Sequence, residues 1–214
     1  MTWFEKTSDG KMVLGRIEKF LDYHLPLRDL VFSDERLEKV VENLLGQEVR
    51  VFKDRIIFKH PDSGGYLPHQ DIYSNIYNLP EEEMAVVAIF IDESNEDNGC
   101  LYISPGKHKD GIFPQDSRAV MKPEVYKDYK WDAVSCNPGD VVIFHNYAPH
   151  YSNMNKSNQP RRAIYFPFQI KATTGLSREE YYKRKVEMFP PEGLTPDINN
   201  LRKQNDIVSR EVGA

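Results

Sequence analysis

Residues 65–71 read GYLPHQD, placing a histidine and an aspartate two positions apart just beyond an apolar, β-branched stretch, VRVFKDRIIF. Alternate residues of a strand face the same side, so this spacing predicts that His69 and Asp71 share a face while Gln70 points away. An imidazole nitrogen and a carboxylate oxygen on one side of a strand are two ligands of a facial metal site. Two histidines and one carboxylate with open positions are the donor set of non-haem Fe(II) oxygenases. A third ligand has to come from elsewhere, and the remaining histidines are His24, His60, His108, His145 and His150.

The block NPGDVVIFHNYAPHYSNMNKSNQPRRAIYFPFQI (137–170) carries two of these histidines, then a polar loop, then two arginines opening a strand. An arginine beside an iron site has a purpose if a dicarboxylate binds there, because its planar fork grips a carboxylate through two N–H groups. Arg161 and Arg162 alternate, so only one of them can point inward.

The elements that must position these residues are legible as patterns. VLGRIEKFLDYHL (13–25) places Val13, Ile17, Phe20, Leu21 and His24 at helical spacing, and SDERLEKVVENLLG (33–46) has a polar cap, an apolar face and a terminal glycine. Both are expected to be helices. Period-two segments predict strands over 49–59, 66–73, 84–92, 100–104, 132–136, 140–145 and 161–170, with turns at NEDNGC and NPGD. SREEYYKRKVEMF (177–189) returns to helical spacing. The order predicts an α+β, mainly β fold in one domain over 1–214: a helical part at 12–46, a β core at 49–170, and a C-terminal helix and tail at 177–214. Jelly rolls and cupins fit the strand number.

Hydrophobic residues at 40% and charged ones at 29% fit a folded chain rather than a disordered one. No apolar run approaches the ~20 residues of a membrane span, and the start, MTWFEKTSDGK, shows no secretory pattern. Cys100 and Cys136 make neither a metal spacing nor a disulfide framework. A cytoplasmic location and no membrane partner are the expectations. The formal charge of −5 argues against a nucleic-acid partner, whose phosphates demand a basic surface.

With these residues laid out, the chain resembles the phytanoyl-CoA dioxygenase family of Fe(II)/2-oxoglutarate-dependent oxygenases. Three blocks carry the resemblance in order: FKHPDSGGYLPHQD, DNGCLYISPGKHKDG and GDVVIFHNYAPHYSNMNKSNQPRR. It implies a double-stranded β-helix (jelly-roll) core with flanking helices. It also implies His69, Asp71 and His150 as iron ligands, since His150 and Ser152 stand where the family has its H-G-S. Arg161, eleven residues after His150, and Ser152 fall where the family binds 2-oxoglutarate. Tyr151 stands in place of the family's usual glycine, which would reshape the pocket wall. Related halogenases lack the carboxylate ligand; with Asp71 present, the resemblance implies hydroxylation, consuming O2 and yielding succinate and CO2. No catalytic residue beyond the metal site is required. Neutral imidazoles bind metal, so binding should weaken as pH falls through the histidine range.

Tyr66, Tyr73, Tyr151 and His108 are candidates for the substrate pocket, and Lys53, Arg55, Lys107 and Arg118 for contact with an anionic substrate, against the plainer reading of solvated surface charges. His145 reads as a core histidine or a partner of the ligands, and Arg162 as outward-facing. A small polar substrate suits a chain this short. The competing readings are a non-oxidative cupin-type metalloenzyme such as an isomerase, which would have no use for Arg161 and Ser152, and a small-molecule-binding member of the fold without turnover.

Overall fold

A computed structural model describes residues 1–72, 83–116, 119–172 and 175–188. The chain opens with a hairpin of β1 (Thr2–Lys6) and β2 (Met12–Glu18), then a 3-10 turn at Phe20–Asp22 and two helices, α1 (Leu25–Phe32) and α2 (Glu35–Leu45). Nine strands follow: β3 (Val49–Val51), β4 (Arg55–Lys59), β5 (Tyr66–His69), β6 (Met84–Phe90), β7 (Leu101–Ile103), β8 (Asp132–Val134), β9 (Val141–His145), β10 (His150–Ser152) and β11 (Arg161–Ile170). A short helix α3 (Pro123–Tyr126) precedes β8, and α4 (Arg178–Met188) is the last described element.

Among the described residues the strands form two antiparallel sheets. One runs β1-β2-β4-β11-β6-β9, with β3 also paired to β11; the other runs β5-β10-β7-β8. The long strand β11 organises the larger sheet, because alternation gives it two different faces. Ile164, Phe166 and Phe168 join Val87, Val31 and Val41 in a core under α1 and α2, while Ala163 and Tyr165 join Ile57, Val86, Phe144 and Leu101 in a second core between the sheets. The jelly-roll expectation holds, and its lumen lies between those sheets.

The helix expected over 13–25 is not formed. Residues 12–18 are strand β2, paired on both sides, to β1 and to β4. Lys19 then turns the chain in a left-handed conformation, φ 58°, and helix begins only at Leu25, where the His24 Nδ1 accepts from the Leu27 N–H at 3.2 Å and caps it. Helix α2 follows the reading closely, with Asp34 capping its start and left-handed Gly46 ending it. The stretch 49–59 is two strands, separated at residues 52–54, and β5 stops at His69 rather than continuing to residue 73.

Helix α4 is fixed by buried charge. Arg178 binds Asp54 and Asp22 at 2.5 and 2.8 Å, Lys185 pairs with Glu18, and the Tyr182 hydroxyl donates to the Asp54 carbonyl at 2.9 Å. These contacts hold the helix against the segment leading into β4.

Candidate metal centre and cosubstrate pocket

Neighbouring strands of the smaller sheet bring the first two histidines together. His150 is the cross-strand partner of His69, and their ring centroids stand 4.2 Å apart. Asp71 lies past the end of β5, so strand alternation does not place it; its N–H donates to the Asn146 carbonyl at 2.9 Å, and Asn146 is tied to Met84. The outcome is the co-facial set expected from the spacing, reached by a different local geometry. Ligand atoms of His69, Asp71 and His150 all lie within 4.8 Å of one another.

Both rings are prepared as donors to a metal. Nδ1 of His69 lies 2.7 Å from the Leu67 carbonyl and Nδ1 of His150 2.9 Å from the Ala148 carbonyl. A carbonyl only accepts, so each Nδ1 carries the proton and each Nε2 presents its lone pair. Burial favours the neutral imidazole: it holds His69 down to about 3 and lowers His150 as well. Burial alone would raise Asp71, but Arg55, His150 and His69 outweigh it and hold the carboxyl at about 2. Asp71 Oδ2 is buried with no hydrogen-bond partner, 4.0 Å from His150 Nε2 and 3.6 Å from the Arg55 guanidinium. A buried charged oxygen without a hydrogen bond, facing two imidazole lone pairs, fits a cation.

Gln70 points away from this cluster and is buried. Its amide donates to the Gly111 and Tyr147 carbonyls at 2.9 and 2.6 Å, and its oxygen accepts from the Phe113 N–H at 2.8 Å. It binds two neighbouring loops to the segment that carries the ligands.

One end of the lumen holds a second constellation. Arg161, 3% exposed, donates through Nη2 to the Gly99 carbonyl at 2.7 Å, while its Nε and Nη1 are buried without a partner. Across the strand pair stands Lys59, 2% exposed, whose ammonium donates to Ser152 Oγ at 2.7 Å, to the Gly99 carbonyl at 3.3 Å and to the Asn153 carbonyl. Lys59 spends its three donors on these oxygens, so the open donor capacity is that of Arg161, and a buried guanidinium with two unpartnered N–H groups calls for an anion. Burial and the neighbouring Arg161 depress the Lys59 ammonium well below its usual range. Gly99, at φ +76°, lets the chain pass here, since a Cβ would meet Lys59 Nζ at 2.9 Å and the Asn153 carbonyl closer still. Sequence reading missed Lys59. Its signal was the alternation Arg55, Ile57, Lys59, but only the pairing with β11 shows which face is inside.

Other expected residues fall as follows. Tyr66 is in the lumen, 6.3 Å from the His69 ring and with Lys59 Nζ 5.9 Å from its own ring, on the side of the cation pair. Tyr151 faces the other way: between buried His150 and Ser152 it stacks on Tyr102 at 4.7 Å and meets Trp131 at 4.9 Å, on the outer surface of the sheet rather than in the pocket wall. His108 stacks on His145 at 5.5 Å, and His145 Nδ1 accepts from the Tyr147 N–H at 3.1 Å. Arg162 is exposed and pairs bidentately with Asp92, as expected of the outward arginine. Lys53 is buried and Arg55 partly so, with 13% of its side chain exposed, whereas Lys107 is a surface partner of Asp110. Tyr73 and Arg118 lie outside the described residues.

Comparison with known proteins bears on the same residues. The family model described as phytanoyl-CoA dioxygenase (PhyH) matches residues 4–163. The chain belongs to this family. Its relatives include a 2-aminoethylphosphonate dioxygenase from an uncultured bacterium, HF130_AEPn_1, 33% identical over 90% of this chain and 72% of that one. A methylphosphonate hydroxylase from Gimesia maris is 33% identical over 88% of this chain and 70% of its own length. Among solved structures, AviO1 from Streptomyces viridochromogenes Tue57 superposes with a TM-score of 0.65 at 24% identity, covering 80% of this chain and 74% of that one, which supports the fold. This family member is an Fe(II)- and 2-oxoglutarate-dependent dioxygenase acting on a small molecule. The non-oxidative and inactive readings fall away. No helix among the described residues is long and apolar enough to cross a membrane.

Proposed function

We propose that the protein hydroxylates a C–H bond of a small organophosphonate, with His69, Asp71 and His150 holding iron and the Arg161–Lys59–Ser152 pocket holding 2-oxoglutarate. The observation that carries the site reading is the pairing of an unbonded carboxylate oxygen and two lone-pair nitrogens with a buried guanidinium, Arg161, that keeps two N–H donors unpartnered beside Lys59 at one end of the same lumen. The substrate class is supported by two relatives named for phosphonates.

When bound, iron and 2-oxoglutarate supply O2 activation, releasing succinate and CO2 and delivering one oxygen atom to the substrate. The chain's own residues bind, orient and exclude water. Arg161 would meet the distal carboxylate through Nε and Nη1, and Ser152, held by Lys59 through its oxygen, would turn its hydroxyl proton toward the cosubstrate. Ala163, Val86, Phe144 and Leu101 keep the lumen apolar and dry. Neither a nucleophile nor a general base is part of this reading. Free, buried Cys100 and Cys136 support a reducing, cytoplasmic setting.

The test is succinate formation in the presence of Fe(II), 2-oxoglutarate and O2, with methylphosphonate or 2-aminoethylphosphonate added. Stimulation by a phosphonate, with an oxidised product, supports the reading. Turnover of 2-oxoglutarate that neither compound alters would remove the phosphonate assignment and leave the oxygenase.

A further inference from the structure

Strand β11 turns a second polar side chain into the lumen. Tyr165 lies four residues past Arg161 on the same face, about 13 Å away by strand rise, so it stands at the end of the lumen away from the cosubstrate pocket. It is 6% exposed, and the Arg55 guanidinium lies over its ring, 5.0 Å from the centroid. The same guanidinium is 3.6 Å from Asp71 Oδ2, so the ring stands one side chain away from the metal centre. The cross-strand neighbours of Tyr165 are Arg55 on β4 and Ala88 on β6. An arginine side chain has no acceptor and an alanine side chain no polar atom, so neither takes the tyrosine's hydroxyl proton. Among the described residues no other group takes it either, and the hydroxyl is not sealed inside the core, so it opens to the lumen.

We propose that Tyr165 is a substrate-binding residue whose hydroxyl donates to an oxygen of the phosphonate head, on the side of the metal centre away from 2-oxoglutarate. This rests on the phosphonate reading above and names the group that recognises the substrate. A buried hydroxyl whose proton has no acceptor is uncommon in a folded chain and needs a partner from outside it. Ionised phosphonate oxygens only accept, so the match is a charge-assisted O–H to oxyanion bond, stronger than one between neutral groups. The donor is also held in place before the ligand arrives. Arg55 lies over the ring, and Ile57, Ala88 and Ala163 belong to the same packed cluster, so little side-chain freedom is lost on binding. Tyr66, the other lumen tyrosine, does not serve this end. Its ring stands 6.3 Å from the His69 ring and 5.9 Å from Lys59 Nζ, toward the cosubstrate pocket. One hydroxyl therefore marks each side of the metal centre, and Tyr165 is the one on the substrate side.

The test is anaerobic calorimetry at saturating Fe(II) and 2-oxoglutarate, titrating methylphosphonate into the parent and into Tyr165→Phe. That substitution removes the hydroxyl and keeps the ring under Arg55, and thermal melts verify that the variant folds. The expected result is methylphosphonate binding weakened about 10- to 150-fold, the range for losing a hydrogen bond to a charged group. Separate titrations should give the parent's affinities for Fe(II) and 2-oxoglutarate. Under O2 the variant should also form more succinate per oxidised phosphonate than the parent, a split that a purely structural role would not produce. Loss of Fe(II) or 2-oxoglutarate affinity with unchanged methylphosphonate affinity would make Tyr165 a support for the metal centre and overturn the proposal. A variant that binds methylphosphonate as the parent does would also overturn it, while leaving the phosphonate reading intact. A parent protein that binds neither methylphosphonate nor 2-aminoethylphosphonate would remove the phosphonate reading itself, and this proposal with it.

Discussion

Replacing Arg161 with methionine should separate binding from stability. Arg161 is 3% exposed, and two of its N–H groups, Nε and Nη1, have no partner. Each buried, unsatisfied donor costs about 1–3 kcal/mol, so the cosubstrate-free protein carries about 2–6 kcal/mol of penalty at this side chain. Methionine removes that penalty and fills similar space. It forfeits the bond from Nη2 to the Gly99 carbonyl, which retains Lys59 at 3.3 Å. The free protein should therefore melt at the parent's temperature or a few degrees above it, at about 2–4 °C per kcal/mol for a domain of this size. With 2-oxoglutarate present the same two donors make charge-assisted hydrogen bonds worth about 1.5–3 kcal/mol each, so the variant should lose at least about 100-fold in affinity. Calorimetry of the Fe(II)-loaded protein under nitrogen, with melts on the metal-free protein, reads both quantities. A variant that binds 2-oxoglutarate within about threefold of the parent, or that melts well below it, would refute the reasoning.

Three further outcomes follow from the same geometry. Gly99→Ala should weaken 2-oxoglutarate binding, because its Cβ would displace Lys59 Nζ and the Asn153 backbone just beyond β10; calorimetry against the parent checks it. Gln70→Leu leaves the Gly111 and Tyr147 carbonyls and the Phe113 N–H without their partner. It should cost about 3 kcal/mol or more and lower the melting temperature by at least about 6 °C; an unchanged melt would show that the loops do not depend on it. In the metal-free protein burial holds His69 at about 3, against an ordinary value near 6.5. Below that ordinary value the unfolded chain takes up a proton that the folded chain refuses, so stability falls as pH drops from about 6.5 toward 3, by about 1.4 kcal/mol per pH unit for this residue. Melts at stepped pH should show that slope reduced in His69→Gln. Iron binding should persist below the ordinary histidine range, lower than the sequence alone implies.

How much of this was legible in the sequence depends on whether the deciding contacts are local. Helix α2 was readable because Asp34, the apolar face and Gly46 all lie within its own span. Strand β11 was readable because ten residues alternate between two buried faces. Residues 13–25 misled because Val13, Ile17, Phe20 and Leu21 fit helical spacing, while pairing with β1 and β4, invisible in the spacing, makes 12–18 a strand. The metal ligands stood out by residue type, yet Asp71's placement depends on Asn146, distant in sequence. Lys59 drew no reading, and Arg55 was open between an anion contact and a solvated charge, because nothing nearby says that β4 lies between β2 and β11. Tyr151's direction followed from alternation once His150 and Ser152 were known to face inward, and that inference was available from the start.

The most direct measurement of the central claim is an anaerobic absorption titration, adding Fe(II) and then 2-oxoglutarate to the parent and to His150→Ala. The account predicts a weak visible charge-transfer band that forms only with both additions, at equimolar iron, and that is missing from the variant because iron no longer binds there. Iron binding equally to both proteins, or a parent that binds iron yet shows no absorbance on adding 2-oxoglutarate, would contradict it.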